Sequence, residues 1–225
     1  MRRGAIAILP LAFGAALYGF AFGVLAAQVG FPWWGVAAMS ASVHAGSSQI
    51  VAVEQLSHGA GLAGAVLAGA ALNLRYLGII ASCAPMLRGW PWPARLLAIH
   101  VSGDENWALT MSERARDPGV GARFLLGSGL VMITVWTLST SAGALAGTAT
   151  GDLERLGRGF AFTAAFIAMA RGMWRGARAL PSWGAAFAAA ALAVSSGVAP
   201  AYGIVLGTLS GLAVSALARR LEGPA

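Results

Sequence analysis

The chain contains no lysine, a single cysteine and few charges, with only 10% of its 225 residues charged. The lone cysteine, Cys83, rules out an internal disulfide and a multi-cysteine metal site. It reads as a small apolar residue in a helix. So little charge would leave a soluble domain of this length hard to keep in solution. The local signatures of common chemistry are also missing: no P-loop, no H-E-x-x-H pair and no G-x-S-x-G elbow. All fifteen basic residues are arginine, a bias from which no mechanism follows.

Hydrophobic residues make up 58% of the chain, and mean hydropathy is +0.72. That composition predicts an all-α integral membrane protein in which residues 1–225 form a single transmembrane domain. At about 20 residues per crossing, it supplies a polytopic helical bundle of six to eight segments, some of them broken or re-entrant. The segments fall near Ala5 to Ala27, Trp33 to Val53, Leu62 to Leu87, Ala94 to Met111, Phe124 to Ala149, Gly159 to Trp174, Trp183 to Val198 and Ala201 to Ala218. The first follows Met-Arg-Arg as a signal peptide would, but is too long and is taken as an uncleaved span. The net charge of +7 reflects arginines at span ends facing the lipid bilayer, and no nucleic acid is expected as a partner.

Polar groups sit at the centre of several apolar segments, where they imply a pathway. The second carries His44-Ala45-Gly46-Ser47-Ser48-Gln49, the third Asn73-Leu74-Arg75-Tyr76, and the fourth His100 with Ser102, Gly103, Asp104, Glu105 and Asn106. Broken or re-entrant helices suit the second and fourth, with Gly46 and Gly103 as the expected break points, because freed backbone groups are tolerated at membrane depth only inside protein.

Ser40, His44, Ser47 and Ser48 fall at i, i+4, i+7 and i+8, so they form one polar stripe if the helix reaches that far. A break at Gly46 instead exposes the amino end of a half-helix, which suits a substrate carboxylate. Arg75 cannot lose its proton and needs an anionic partner, for which Asp104 and Glu105 are the best candidates and Glu54 a second option. His100 and Asp104 are four residues apart, within reach on a continuous helix, and the adjacent acids suit proton coupling. The bland alternatives are serines bonded to their own helix carbonyls and a solvated acidic face on an interfacial helix. An intramembrane serine hydrolase built from Ser47 or Ser48 with His44 or His100 is disfavoured by geometry. No catalytic residue, metal site or cofactor is expected. Gly203-x3-Gly207-x3-Gly211 makes a ladder of small residues, suited to docking a helix of this chain or of a partner.

These blocks resemble the AzlC family, the large subunit of two-component branched-chain amino acid exporters. Met39-Ser40 with Ala45-Gly46-Ser47-Ser48-Gln49 is similar to the family's Met-Ser and A-G-A-S-Q motifs. Asn73-Leu74-Arg75 resembles its N-L-R-H block, Ala84-Pro85 its Ala-Pro, and Asp104-Glu105 its D-E pair. The resemblance spans roughly residues 8 to 220. It implies an inner-membrane permease that exports valine, leucine or isoleucine, and often methionine, by proton antiport with a small hydrophobic AzlD-type subunit. Ser40, His44, Gly46, Ser47, Ser48, Gln49 and Asn73 would bind substrate, while Arg75, Asp104, Glu105 and His100 serve ion pairing or proton coupling. A channel or a non-transporting subunit of a membrane complex is the alternative. Three residues depart from the pattern: His44 where an aromatic is common, Ile50 where Phe is common, and Tyr76 where His is frequent.

Arginine placement orients the chain. If every segment crosses, ten arginines fall inside and four outside (Arg88, Arg95, Arg155 and Arg158); if the second and fourth re-enter, the balance becomes twelve to two. Both arrangements put Arg2, Arg3, Arg219 and Arg220 in the cytoplasm. A C-terminal alkaline phosphatase fusion is therefore expected to be inactive, and periplasmic activity would overturn the orientation.

Overall fold

The computed structural model describes residues 1–149, 174, 176–198 and 200–221, and among them every regular element is helical. The expected segment Gly159 to Trp174 lies almost wholly outside the described residues, as do Arg155, Arg158, Arg171 and Arg175. In chain order the helices are α1 (Arg2–Ala7), α2 (Leu9–Gln28), α3 (Trp33–Val43), α4 (Gly46–Ser57), α5 (Gly61–Asn73), α6 (Arg75–Cys83), α7 (Trp92–His100), α8 (Asp104–Arg116), α9 (Ala122–Ala149), α10 (Leu180–Ser195) and α11 (Pro200–Leu221). Three stretches are long and apolar enough to span a membrane: Leu9–Gln28, Ala122–Thr148 and Ala177–Ser195. The broken pair α5 and α6, bent by 42°, passes the same test when its two halves are taken together. The protein is an all-α membrane protein.

The chain divides into two compact units, Met1–Gln49 with Leu74–Ala161, and Ile50–Asn73 with Phe162–Ala225. In the first, α2 and α9 run parallel at close range. A Cβ on Gly23 would collide with the Thr140 carbonyl, one on Gly143 with the Phe20 backbone, and one on Gly147 with Val24 and Ala27. Glycine here removes side-chain bulk so that two backbones can touch, which substitutes dispersion for the weak hydrophobic drive available in lipid. Ile8, Ala12 and Met132 form a buried cluster along the same seam. At one end Arg3 bridges Glu113 at 2.9 Å and Asp117 at 2.7 Å, setting the start of α1 beside the end of α8. The Arg3 guanidinium and then the Gly119 amide hold the Asp117 carboxyl below its ordinary range.

Three of the expected segments are interrupted. The second breaks at His44 and Ala45 rather than at Gly46, which is the first residue of α4. His44 ends α3 in the left-handed region, at φ 43° and ψ 43°. Gly46 is small for another reason: a Cβ there would stand 2.7 Å from the Trp136 ring. The proposed stripe of Ser40, His44, Ser47 and Ser48 is therefore divided between two helices. The fourth segment breaks over Val101 to Gly103, which parts His100 from Asp104, and the third breaks at Leu74, which the sequence did not suggest.

The fourth segment doubles back. Ala98 of α7 shares a buried cluster with Leu87, Ala122 and Leu125, and Trp90 and Met111 pack on it. The Val101 carbonyl abuts Gly129, further along α9. Both arms thus lie by the start of α9, with the tip further along it, so the segment forms a helical hairpin. From the opposite end, α3 descends along α9, its Ser40 reaching Thr140. Eleven residues of α3 at ~1.5 Å each cover about 16 Å, roughly half a hydrocarbon core of ~30 Å.

In the second unit, Gly207 and Gly211 face Ala186, and Gly203 faces Val194. The ladder thus docks α11 onto α10 of the same chain. Val51, Ala68, Leu72 and Ile204 pack beside it.

The glycine seam yields a contrast. Gly23→Ala is expected to lower thermal stability in detergent by about 1–3 kcal/mol through overpacking. Gly14→Ala, where nothing lies within 4 Å, should leave it unchanged or raise it by about 0.5–1 kcal/mol. Equal melting temperatures for the two variants would show that the seam does not depend on the missing side chain.

Candidate functional site

Within the first unit the tips of the two broken segments meet. The His100 Nε2 lies 2.9 Å from the Ala41 carbonyl and must carry a hydrogen there, since a carbonyl only accepts. The Tyr76 hydroxyl donates to the His44 carbonyl at 3.2 Å. The Gly103 amide donates to Asn106 Oδ1 at 2.6 Å, and Asn106 Nδ2 reaches the Leu125 carbonyl at 3.3 Å. Backbone groups that the breaks release are thus capped by side chains, the Ala41 and His44 carbonyls from neighbouring helices and the Gly103 amide from the first turn of its own.

Arg75 and Asp104 form a two-point ion pair, Nε to Oδ1 and Nη2 to Oδ2, both at 3.0 Å. Their side chains are 25% and 44% exposed, so solvent screens part of the attraction. The Arg75 guanidinium also lies 5.4 Å from the centre of the Tyr76 ring. Glu105, the next residue after Asp104, makes no salt bridge with any described residue and is exposed.

Behind the tip of α3 runs a buried chain of polar groups. Trp136 Nε1 can only donate, and it does so to Gln49 Oε1 at 2.8 Å. That fixes the amide, whose Nε2 donates to Ser40 Oγ at 3.1 Å, and Ser40 in turn lies 2.8 Å from Thr140 Oγ1. Ser40, Gln49 and Thr140 are fully buried. This differs from the expectation that Ser40 and Gln49 face a substrate: the Gln49 carbonyl oxygen and the Ser40 hydroxyl are engaged inside the protein. Sequence reasoning missed Trp136 and Thr140, and it named Asn106 in the polar cluster without giving it a role. The run Thr137, Ser139, Thr140, Ser141 in the middle of a long span was a usable signal for the α9 side of this chain.

His44 and Ser47 are different. Both His44 ring nitrogens and the Ser47 hydroxyl are buried with no hydrogen-bond partner among the described residues, and His44 is only 7% exposed. Ser48 is buried one residue further along the first turn of α4, and Asn73 closes α5 in the second unit. Among the described residues no group of His, Cys, Asp and Glu is arranged to hold a metal.

Paired helix breaks with polar groups turned to one another are a feature that membrane transport proteins use. The family model described as AzlC protein matches residues 10–150, and the chain belongs to that family. An uncharacterized membrane protein of Helicobacter pylori strain ATCC 700392 / 26695 is 28% identical over 162 residues, covering 72% of this chain and 70% of the relative. Its counterpart in strain J99 / ATCC 700824 is 30% identical over 157 residues, covering 69% and 68%. No solved structure matches the chain.

Removing one partner of the ion pair leaves a partly desolvated charge. Arg75→Gln is expected to cost about 1–3 kcal/mol, less than the ~3–5 of a fully buried pair. Arg75→Gln with Asp104→Asn should recover part of that loss in a thermal melt. Strictly additive losses would mean that the pair contributes no coupling energy.

Proposed function

We propose that the protein is the permease subunit of a secondary transporter that exports branched-chain or other aliphatic amino acids across the inner membrane, with both termini cytoplasmic. Proton antiport supplies the energy, and a small hydrophobic AzlD-type subunit completes the complex. The observation that carries this reading is the pair of unpartnered groups, His44 and Ser47, at the meeting of two helix breaks. A desolvated hydroxyl and imidazole without partners cost free energy unless a ligand engages them. The first-turn amides of α4 add donors for a carboxylate, as the dipole of a half-helix favours.

Roles divide by what each residue touches. Gly46, Ser47 and Ser48 at the start of α4 bind the carboxylate with His44 beside them. Ser40 and Gln49 hold α3 and α4 against α9 and act as positioning residues. Arg75 and Asp104 neutralise each other, leaving Glu105 as the carboxyl able to exchange a proton, with His100 joining the two tips. The apolar surroundings discriminate aliphatic side chains by only about 1–3 kcal/mol per methylene, so several of them share the site.

Counterflow of labelled leucine in vesicles carrying the chain, with and without its small partner, tests the reading. Saturable exchange that an imposed pH gradient drives uphill is expected, and flux that never saturates would identify a channel instead. Ser47→Ala should weaken leucine, isoleucine and valine together by about 2- to 10-fold, the worth of one hydrogen bond. An effect on one substrate alone would assign Ser47 to the side chain and not to the shared amino acid backbone.

A further inference from the structure

We infer that Glu105 and His44 together form the receptor for the substrate's ammonium group, with Gly103 left bare so that the group can fit between them. The inference rests on the transport reading above and names the part of the site that reads the amine. A Cβ on Gly103 would stand 3.4 Å from His44 Nε2 and 3.6 Å from Glu105 Oε2. Both atoms therefore border one small space at the tip of the α7–α8 hairpin. His44 Nε2 is buried and unpartnered, and in its neutral form it accepts one hydrogen bond from an N–H donor. The Glu105 carboxylate supplies the charge.

Charge balance at the tip points the same way. Arg75 and Asp104 cancel in their two-point pair, and His100 is engaged with the Ala41 carbonyl. Among the described residues the Glu105 carboxylate then leaves one uncompensated negative charge at the tip, which a primary ammonium matches. Successive residues at the start of α8 point about 100° apart, so Asp104 turns to Arg75 while Glu105 turns to the tip. The amino end of α4 takes the opposite pole of the ligand. A zwitterion fits, and neither a simple amine nor a simple carboxylic acid fills both poles.

The probe is 4-methyl-2-hydroxypentanoate, which keeps the carboxylate and side chain of leucine but carries a hydroxyl in place of the ammonium. In vesicles holding the full chain and its partner, it should compete with labelled leucine at least tenfold more weakly than unlabelled leucine does, because a site built to bind a charged donor rejects the analogue lacking it. Glu105→Gln should raise the KM for leucine at least tenfold and narrow the preference over the hydroxy acid to about threefold. Gly103→Ala places a methyl in the space at ordinary contact distances, and a backbone at φ −107° accepts alanine. It should therefore show the same rise in KM with an unchanged melting temperature. If the wild type carries no leucine, the transport reading falls and this inference with it. If the wild type carries leucine while Glu105→Gln keeps its KM or its full preference, only the ammonium receptor is wrong.

Discussion

Backbone amides and carbonyls released where a helix breaks find no water in a hydrocarbon interior, and each left unpaired costs several kcal/mol. The architecture of the first unit is a response to that cost. Neither broken segment satisfies the whole of its tip, although Asn106 caps the Gly103 amide from its own helix. Instead the carbonyl of Ala41 is met by His100 from the other segment, and that of His44 by Tyr76 from α6. The left-handed conformation of His44, uncommon outside glycine, persists because its neighbours hold it on both sides. The breaks cap each other, so they come as a pair.

Such a pair needs a scaffold that does not yield, and the glycine seam between α2 and α9 supplies it. Where Gly19, Gly23, Gly143 and Gly147 bring the two helices together, Tyr18 and Phe22 lie against the Trp136 ring, at 5.6 and 6.3 Å between centres. Trp136 then fixes Gln49, and Gln49 fixes Ser40. Rigidity passes from backbone packing to the polar chain, and from there to the start of α4 at Gly46, which must remain bare to seat against the same indole.

Composition and hydropathy were enough to predict an all-α membrane protein, and the polar interruptions were enough to locate two of the breaks to within two or three residues. What the sequence did not reveal was which residue bends. Gly46 and Gly103 attract attention because glycine tolerates most backbone conformations, yet Gly46 is helical and the positive φ falls on His44. The break at Leu74 had no glycine or proline to mark it. Periodicity also could not tell that Ser40 and Gln49, nine residues apart across a break, would bond to each other, because spacing rules hold only within a continuous helix. Arg75 is the opposite case. The cost of a permanent charge at that depth called for an acid, and Asp104 is the one in contact with it.

The first turn of α6 has a role that none of its residues shows alone. Arg75 holds the start of α8 through Asp104, and Tyr76, the next residue, holds the end of α3 through the His44 carbonyl. Two consecutive side chains thus tie both broken segments to one short helix. Two of the positions where the chain departs from the family pattern, His44 and Tyr76, are the partners in one of these ties. A hydroxyl donating to a carbonyl keeps that tie at any pH the protein meets, whereas an imidazole in its place would change its hydrogen bonding on gaining a proton. Any displacement of α6 acts on both tips at once, because neither tie can follow the helix without pulling the tip it holds.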